Sequence, residues 1–223
     1  GDVLAMASTP GFDPNAFNVG IGNSEWQRLL RNSRKPLTDK TIAGRYPPGS
    51  TFKMAVALAA MEANVAGAAH RVFCNGKHVL GNHTFHCWKR WGHGWMDLND
   101  ALAQSCDVYF YEISRDIGID NMHRYLKQFG LGISTGLDMA GEAGGLVPSR
   151  EWKRRSFSDR DNQRWYHGET VIASIGQGYM LATPLQLAAA TTTLASRGER
   201  RIPRFLKELD GAPVETPNLE SVA

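Results

Sequence analysis

The sequence predicts a mixed α/β (α+β) protein with a buried central helix. Residues 50–64 are rich in Ala, Met, Val and Leu on every side, which is typical of a helix buried all round. Short apolar or β-branched runs at 3–8 and 171–175 have the length and composition of strands. The 223 residues suffice for a sizeable core, in one large domain or two small ones.

Caps, glycines and prolines mark the ends of the other expected helices. Ser149 is expected to cap a helix that contains Trp152 and Lys153, and Thr183-Pro184 to open a helix that ends near Ser196. The remaining expected helices cover residues 24–30, 98–104, 108–117 and 120–130.

Three connecting segments have no helical pattern. The charged run 153–164 is interpreted as a solvated surface loop, with partner binding as the alternative. Residues 131–145 are glycine-rich and predict a loop with a short strand, and 200–205 predicts the start of another strand. Residues 71–95 lose helical periodicity and collect histidines, tryptophans and cysteines, which indicates an irregular excursion that needs something other than a core to order it.

Overall composition excludes some classes of function. The chain is 42% hydrophobic and 21% charged, with a formal net charge of +3. Its cations are spread along the sequence, so nucleic-acid binding is not expected. No run of about 18 apolar residues is present, so the sequence predicts no membrane span. The abrupt opening at 1–8 suggests that a targeting or anchor segment has been cut away.

Ser50 and Lys53 are the first candidates for chemistry. They lie three residues apart where a helix is expected to begin after Pro47-Pro48-Gly49, so their side chains would share one face. A helix N-terminus favours developing negative charge, and a lysine held in a dry pocket can be neutral enough to take the serine proton. The spacing alone is a weak signal, because a Ser-x-x-Lys pair also arises by chance.

A second candidate lies at Ser105-Cys106-Asp107, a break between two expected helices. A serine and an acid two apart on a tight loop can point the same way. Such a pair is usually only a helix cap, but beside Ser50 and Lys53 the serine could hand a proton to a leaving amine.

These two segments carry a family resemblance. Residues 46–53 and 105–107 resemble the first two of three motifs of the penicillin-binding proteins and serine β-lactamases. Further short segments resemble the class B transpeptidases, closest to the elongation-type penicillin-binding protein 2 subgroup. These segments are 4–8, 12–15, 135–138, 141–142, 168–170, 174–178 and 183–186.

The resemblance implies a penicillin-binding and serine β-lactamase-like transpeptidase fold, with a helical subdomain and part of an antiparallel sheet. It implies a D,D-transpeptidase that cross-links peptidoglycan stem peptides and is acylated by β-lactams. Ser50 would be the nucleophile, and its backbone N–H would supply half of an oxyanion hole. Lys53 would be the general base, Ser105 the proton shuttle and Asp107 the orienting partner.

One departure concerns the third motif, because no Lys-Thr-Gly or Lys-Ser-Gly triad occurs in the chain. In the family this motif would fall beyond residue 223. The resemblance therefore implies that 1–223 is a partial transpeptidase domain, without the N-terminal anchor and pedestal or the C-terminal strands, and leaves open whether this piece turns over substrate alone. By resemblance, the whole enzyme would sit in the bacterial inner membrane with its catalytic domain in the periplasm. Its partners would be a glycosyltransferase and a scaffold of the elongation machinery.

The three cysteines leave two interpretations open. With one histidine they form a Cys₃His set, a common tetrahedral zinc shell, although the long spacings match no recognised zinc pattern. The penicillin-binding protein 2 resemblance implies a metal in this region, with His83 or His86 as substitutes for the histidine. The alternative is a Cys74–Cys87 disulfide with a buried third thiol. The expected zinc ligands are Cys74, Cys87, His93 and Cys106.

Two other functions remain as alternatives to the transpeptidase. A β-lactamase or penicillin sensor shares the serine and lysine, but the chain shows no obvious deacylating glutamate near them. A non-catalytic, zinc-structured interaction module would keep the fold without the reaction.

Overall fold

The helix expected over residues 50–64 is present at Lys53–Glu62 in a mainly helical structure, but it is not buried all round, because Met54 is 37% exposed and Met61 43% exposed. The computed structural model describes residues 1–214 and residue 222. The helices are α1 (Asn15–Asn18), α2 (Asn23–Arg31), α3 (Lys53–Glu62), α4 (Leu98–Ala103), α5 (Asp107–Ile117), α6 (Ile119–Gln128), α7 (Arg150–Ser156), α8 (Arg160–Gln163), α9 (His167–Ala173) and α10 (Pro184–Ala195). The strands are β1 (Val72–Cys74), β2 (Lys77–Leu80), β3 (His83–His86), β4 (Gly94–Met96), β5 (Glu208–Leu209) and β6 (Ala212–Pro213).

Helix α5 is the centre of the hydrophobic core. It packs against α3 on one side and α9 on another, and it also contacts β1 and β2. Tyr109 and Phe110 of α5 are completely buried, as are Val56 of α3 and Met122 and Leu126 of α6. The core therefore fixes the first turns of α3 and α5 relative to each other. Among the described residues, no helix combines the length and apolar character that a bilayer crossing requires.

Local capping chemistry produced several of the expected helix ends. The Ser149 side chain accepts a hydrogen bond from the backbone N–H of Trp152 at the start of α7. Thr183 and Gln186 form a capping box at α10, with Pro184 in the first turn. Asp120 is different, because α6 begins after Gly118, so this carboxylate lies inside the first turn instead of capping it.

The excursion over residues 71–95 is more regular than expected. It contains two antiparallel two-stranded sheets, β1 with β4 and β2 with β3. Cys74 faces Gly94 across the first pair, and Lys77 faces His86 across the second. The nested hairpins return the chain on itself, so Cys74 and the loop 87–93 come together. The expectation of an irregular segment is corrected in this respect.

The strand predictions near the two ends of the chain are wrong. Residues 3–8 are assigned to no strand, and the side chain of Leu4 is 95% exposed. Beside them, one parallel bridge joins Asp2 to Arg204, and the backbone N–H of Val3 donates to the carbonyl of Arg204 at 2.9 Å. The apolar composition of 3–8 is not matched by a continuous hydrogen-bonded partner among the described residues, so no ladder forms there.

The strand predicted at 171–175 is also wrong, because 171–173 belong to α9. Glu169 accepts a hydrogen bond from the backbone N–H of Tyr166 and thereby caps this helix. Val171 and Ala173 are buried, and α9 packs on α5. Capping and tertiary packing outweigh the β propensity of Val171 and Ile172.

Lys153 contradicts the interpretation of 153–164 as a solvated loop. It is 3% exposed, although it opens the charged run. Its Nζ forms an ion pair with Glu169 and donates a hydrogen bond to the carbonyl of Arg164, 2.7 Å away. Aromatic rings surround the ammonium group at 5.3 to 5.9 Å, from Phe157, Trp165, Tyr166 and Tyr179. This lysine therefore ties α7 to α9.

Candidate active site

Ser50 lies on an exposed turn immediately before α3. The turn is a 3₁₀ helix over Gly49–Phe52, and the backbone N–H of Lys53 donates to the carbonyl of Ser50. The sequence predicted that Ser50 begins the α-helix; instead, α3 starts at Lys53 and the serine occupies the tighter turn before it. The serine is therefore open to solvent one turn ahead of a buried lysine.

Gly49 owes its conformation to a close contact with Gly176. Its φ is +57°, in the region that favours glycine, and its backbone N–H donates to the carbonyl of Gly176 at 3.0 Å. A Cβ built on Gly176 would lie 2.4 Å from the carbonyl oxygen of Gly49. Gly176, which follows α9, thus packs against the backbone of the Ser50 turn at a distance that only glycine permits.

Lys53 is the buried amine of the site, with 2% exposure. Its Nζ lies 2.6 Å from Oδ1 of Asp107. It also donates to Oγ of Ser105 at 3.2 Å and to the carbonyl of Ser105 at 3.1 Å. The ring of Phe110 lies below it, with 5.2 Å between Nζ and the ring centroid. The amine therefore contacts a hydroxyl and a carboxylate at once.

The loop between α4 and α5 presents Ser105 and Asp107 to that amine. Ser105 has φ +52°, an uncommon conformation for a residue other than glycine. Cys106 occupies the N-cap position of α5 without a side-chain capping bond, and Asp107 occupies the first helical position, where the helix N-terminus favours a carboxylate. The second oxygen of Asp107 accepts the backbone N–H of Trp88 at 3.0 Å.

The structure brings three of the four expected catalytic residues into direct contact, namely Lys53, Ser105 and Asp107. Within residues 1–214, no hydrogen bond links the Ser50 hydroxyl to these three residues. The position of Ser50 is set by the backbone of the 3₁₀ turn Gly49–Phe52. Sequence reasoning missed Trp88, whose position directly after Cys87 was the one available signal. The arrangement offers an exposed hydroxyl nucleophile, a buried amine and a second hydroxyl for proton transfer.

A cluster of possible metal ligands adjoins this loop. The ligand atoms of the four expected residues all lie within 4.8 Å of one another. His93 Nδ1 is 3.5 Å from the sulfur of Cys74 and 3.6 Å from that of Cys87. Tetrahedral zinc with its usual bond lengths separates a sulfur and a nitrogen ligand by about 3.5 Å. The geometry therefore fits one zinc ion shared by Cys74, Cys87, His93 and Cys106.

The sulfur atoms favour a metal over a disulfide. All three cysteines are buried and free, so the alternative Cys74–Cys87 bond is not formed. A hydrogen bond from the Cys106 thiol lowers the pKa of Cys87 well below its usual range, whereas that contact and burial raise the pKa of Cys106. The lowered pKa favours a thiolate at Cys87, the form that ligates metals. Neither His83 nor His86 joins the set, and both are exposed.

Comparison with protein families shows which family contains this chain. The family model described as the penicillin-binding protein transpeptidase domain matches residues 1–222. The chain belongs to this transpeptidase family. Its fold is accordingly the penicillin-binding transpeptidase fold, with mixed helix and antiparallel sheet, as the resemblance implied.

Several transpeptidases are similar to this domain over nearly its whole length. The peptidoglycan D,D-transpeptidase MrdA of Haemophilus influenzae is 41% identical over 215 residues, which cover 96% of this chain and 32% of the relative. The structure of Pseudomonas aeruginosa PBP2 in complex with WCK 5153 is 44% identical with a TM-score of 0.89, covering 98% of this chain and 48% of that one. Helicobacter pylori PBP2 in complex with MreC is 36% identical with a TM-score of 0.85, covering 93% and 38%. The chain thus spans about a third of the length of the curated relative.

Proposed function

We propose that the protein is a serine D,D-transpeptidase that cross-links peptidoglycan stem peptides through an acyl-enzyme at Ser50. The observation that carries this function is the contact of Lys53 Nζ with both Ser105 Oγ and Asp107 Oδ1, one turn away from an exposed serine. A buried amine in contact with a hydroxyl and a carboxylate provides a route for the two proton transfers that acyl transfer needs.

Acylation begins when Ser50 Oγ attacks the penultimate D-Ala carbonyl of a stem peptide. Lys53 accepts the hydroxyl proton in its unprotonated form, and Asp107, 2.6 Å away, stabilises the ammonium group that forms. The backbone N–H of Ser50 donates to the oxyanion, a kind of contact that contributes about 3 to 4 kcal/mol.

The tetrahedral intermediate then collapses with loss of the terminal D-Ala. Ser105 passes a proton from Lys53 to the leaving amine, as its 3.2 Å contact with Nζ allows. An ester on Ser50 results. The amine of a second stem peptide attacks this ester, loses its proton by the reverse route and restores the Ser50 hydroxyl. β-Lactams would enter at the first step and leave a stable ester, because their amide mimics D-Ala-D-Ala.

A fluorescent penicillin tests this function on the full-length protein. The wild type is expected to carry a stable covalent label that survives denaturing electrophoresis, because the acyl group is bonded to Ser50. Ser50→Ala is expected to lose the label, whereas Ser24→Ala, at an exposed serine on α2, is expected to keep it. Rapid release of hydrolysed penicillin would favour a β-lactamase instead, and an unlabelled wild type would favour a non-catalytic module.

The contact of Gly176 with the Ser50 turn gives a second prediction. In Gly176→Ala the new methyl group meets the backbone of Gly49 and must displace the turn. We expect acylation by penicillin to slow about 100-fold, the effect of a misplacement of about 1 Å. Gly178→Ala is the matched control, because Gly178 also has a positive φ, but its nearest neighbour is a side-chain methyl of Ile172 at 3.1 Å. Equal acylation rates in the two variants would refute the prediction.

Zinc is proposed as a structural ion held by Cys74, Cys87, His93 and Cys106. The free thiols and the sulfur–nitrogen distances support this ligand set. When bound, zinc supplies no step of the reaction but fixes Cys106 between Ser105 and Asp107. Plasma emission on purified protein is expected to give about one equivalent of zinc. Less than half an equivalent of zinc, together with a thiol titration that finds two fewer free thiols than there are cysteines, would indicate a disulfide and contradict the proposal.

Location and partners are proposed on the basis of the relatives. The full-length protein would be anchored in the bacterial inner membrane with this domain in the periplasm. It would work with a scaffold and a polymerising glycosyltransferase of the elongation machinery. The complex of Helicobacter pylori PBP2 with MreC supports the proposal that this protein has a protein partner of that kind. Cell fractionation followed by cross-linking is expected to recover the protein in the membrane fraction together with such a scaffold; recovery in the cytosol would refute both proposals.

A further inference from the structure

Trp88 contacts the α4–α5 loop with two different donors. It directly follows Cys87, in the connection from β3 to β4. Its backbone N–H donates to Asp107 Oδ2 at 3.0 Å. Its indole N–H donates to the carbonyl of Ser105 at 3.0 Å and to that of Gln104 at 3.2 Å. Trp88 therefore holds the same two residues that hold the Lys53 side chain.

Lys53 and Trp88 both donate hydrogen bonds to the Asp107 carboxylate and to the Ser105 carbonyl of this loop. One oxygen of Asp107 binds Lys53 Nζ, and the other binds the Trp88 backbone. A carbonyl oxygen has two lone pairs, and that of Ser105 accepts from Lys53 Nζ at 3.1 Å and from the Trp88 indole at 3.0 Å. Because Ser105 has the uncommon φ of +52°, these bonds keep a strained residue in place.

We propose that Trp88 is a positioning residue for acyl transfer. Its indole N–H fixes the Ser105 carbonyl, and through it the distance between the Ser105 hydroxyl and Lys53 Nζ. This inference rests on the proposed function, because that function assigns proton transfer to Ser105 and Lys53. Trp88 itself supplies no proton and needs no contact with the substrate.

The exposure of Trp88 separates this role from a contribution to stability. The residue is 64% exposed, and the Ser105 carbonyl keeps its hydrogen bond from Lys53 Nζ when the indole N–H is removed. Its ring also meets the ring of His93 edge-on at 5.4 Å, a contact that phenylalanine can retain. Trp88→Phe therefore removes the indole donor with little other change.

Trp91→Phe is the matched control. Trp91 lies in the same connection, is 94% exposed, and its side chain makes no hydrogen bond in the part of the chain that the structure describes. Single-turnover acylation by a fluorescent penicillin, measured on both full-length variants and the wild type, separates the acylation rate constant from the non-covalent dissociation constant. Trp88→Phe is expected to lower the rate constant about 5- to 10-fold, as loss of one hydrogen bond would. Its dissociation constant and thermal midpoint are expected to match those of Trp91→Phe.

The outcomes distinguish this inference from the function beneath it. If the wild type is labelled at Ser50 and both variants acylate at the same rate, the positioning role is overturned while the proposed function stands. A lowered thermal midpoint for Trp88→Phe, with both kinetic constants changed, would show a structural role and also overturn the inference. Absence of label in the wild type would overturn the proposed function and this inference with it.

Discussion

Lys53→Met is expected to lower the rate constant for acylation of Ser50 by about 100- to 10,000-fold, the usual contribution of a general acid–base residue. Methionine keeps the length of the side chain but cannot accept the Ser50 proton or return one through Ser105. Single-turnover labelling with fluorescent penicillin measures this loss. A rate within tenfold of the wild type would exclude Lys53 as the base.

The same substitution breaks a buried ion pair, so its effect on folding has to be separated from its effect on chemistry. Removing one partner of such a pair costs about 3 to 5 kcal/mol of unfolding free energy. Lys53→Met/Asp107→Asn removes the unpaired charge and keeps an oxygen for the Trp88 backbone N–H. We expect denaturant titration to show stability largely regained in the double variant while acylation stays slow.

The second large effect is expected from His93→Ala. Loss of one of four ligands should leave less than half an equivalent of zinc after dialysis against a mild chelator. If free zinc exceeds its dissociation constant about 100-fold, the bound ion stabilises the fold by about 2.7 kcal/mol, and its loss lowers the thermal midpoint of a chain of this size by about 5 to 11 °C. Emission spectroscopy and thermal unfolding measure the two quantities on the same sample.

His86→Ala is the control for that prediction. Its ring is exposed and lies outside the ligand cluster, and its backbone carbonyl, which accepts the hydroxyl of Tyr111, survives the substitution. We expect full zinc content and an unchanged midpoint. If His86→Ala loses the metal and His93→Ala keeps it, the ligand set proposed here is wrong.

Sequence reasoning worked where a feature depends on neighbouring residues. The caps at Ser149 and Thr183 and the two motifs around Ser50 and Ser105 are all local patterns, whereas the helix starts expected at Ser50 and Asp120 are displaced in the structure. The family resemblance implied that the two motifs lie close together around Lys53. The structure confirms that Lys53, Ser105 and Asp107 are in contact. The Cys₃His cluster also forms as expected, although its occupation by zinc stays a prediction.

Features that depend on distant contacts were not predictable in this way. Lys153 was assigned to solvent because its sequence neighbours are charged, whereas a glutamate 16 residues away and four aromatic rings bury it. The run from Val171 has the composition of a strand but receives a helix cap and a helical partner. Trp88 carries no motif, because its significance comes from the loop it meets 17 residues later.

Cys106 belongs both to the proposed zinc site and to the loop that contacts Lys53, so binding at the two sites would be coupled. It is fully buried, and the residues on either side of it both contact Lys53. A metal held by Cys106 would favour the loop geometry that a substrate or antibiotic engages, so the two ligands would bind cooperatively. Such coupling is reciprocal: whatever zinc adds to the affinity for a β-lactam, the β-lactam adds to the affinity for zinc. The availability of zinc would then influence how strongly this protein binds the drugs proposed to inhibit it.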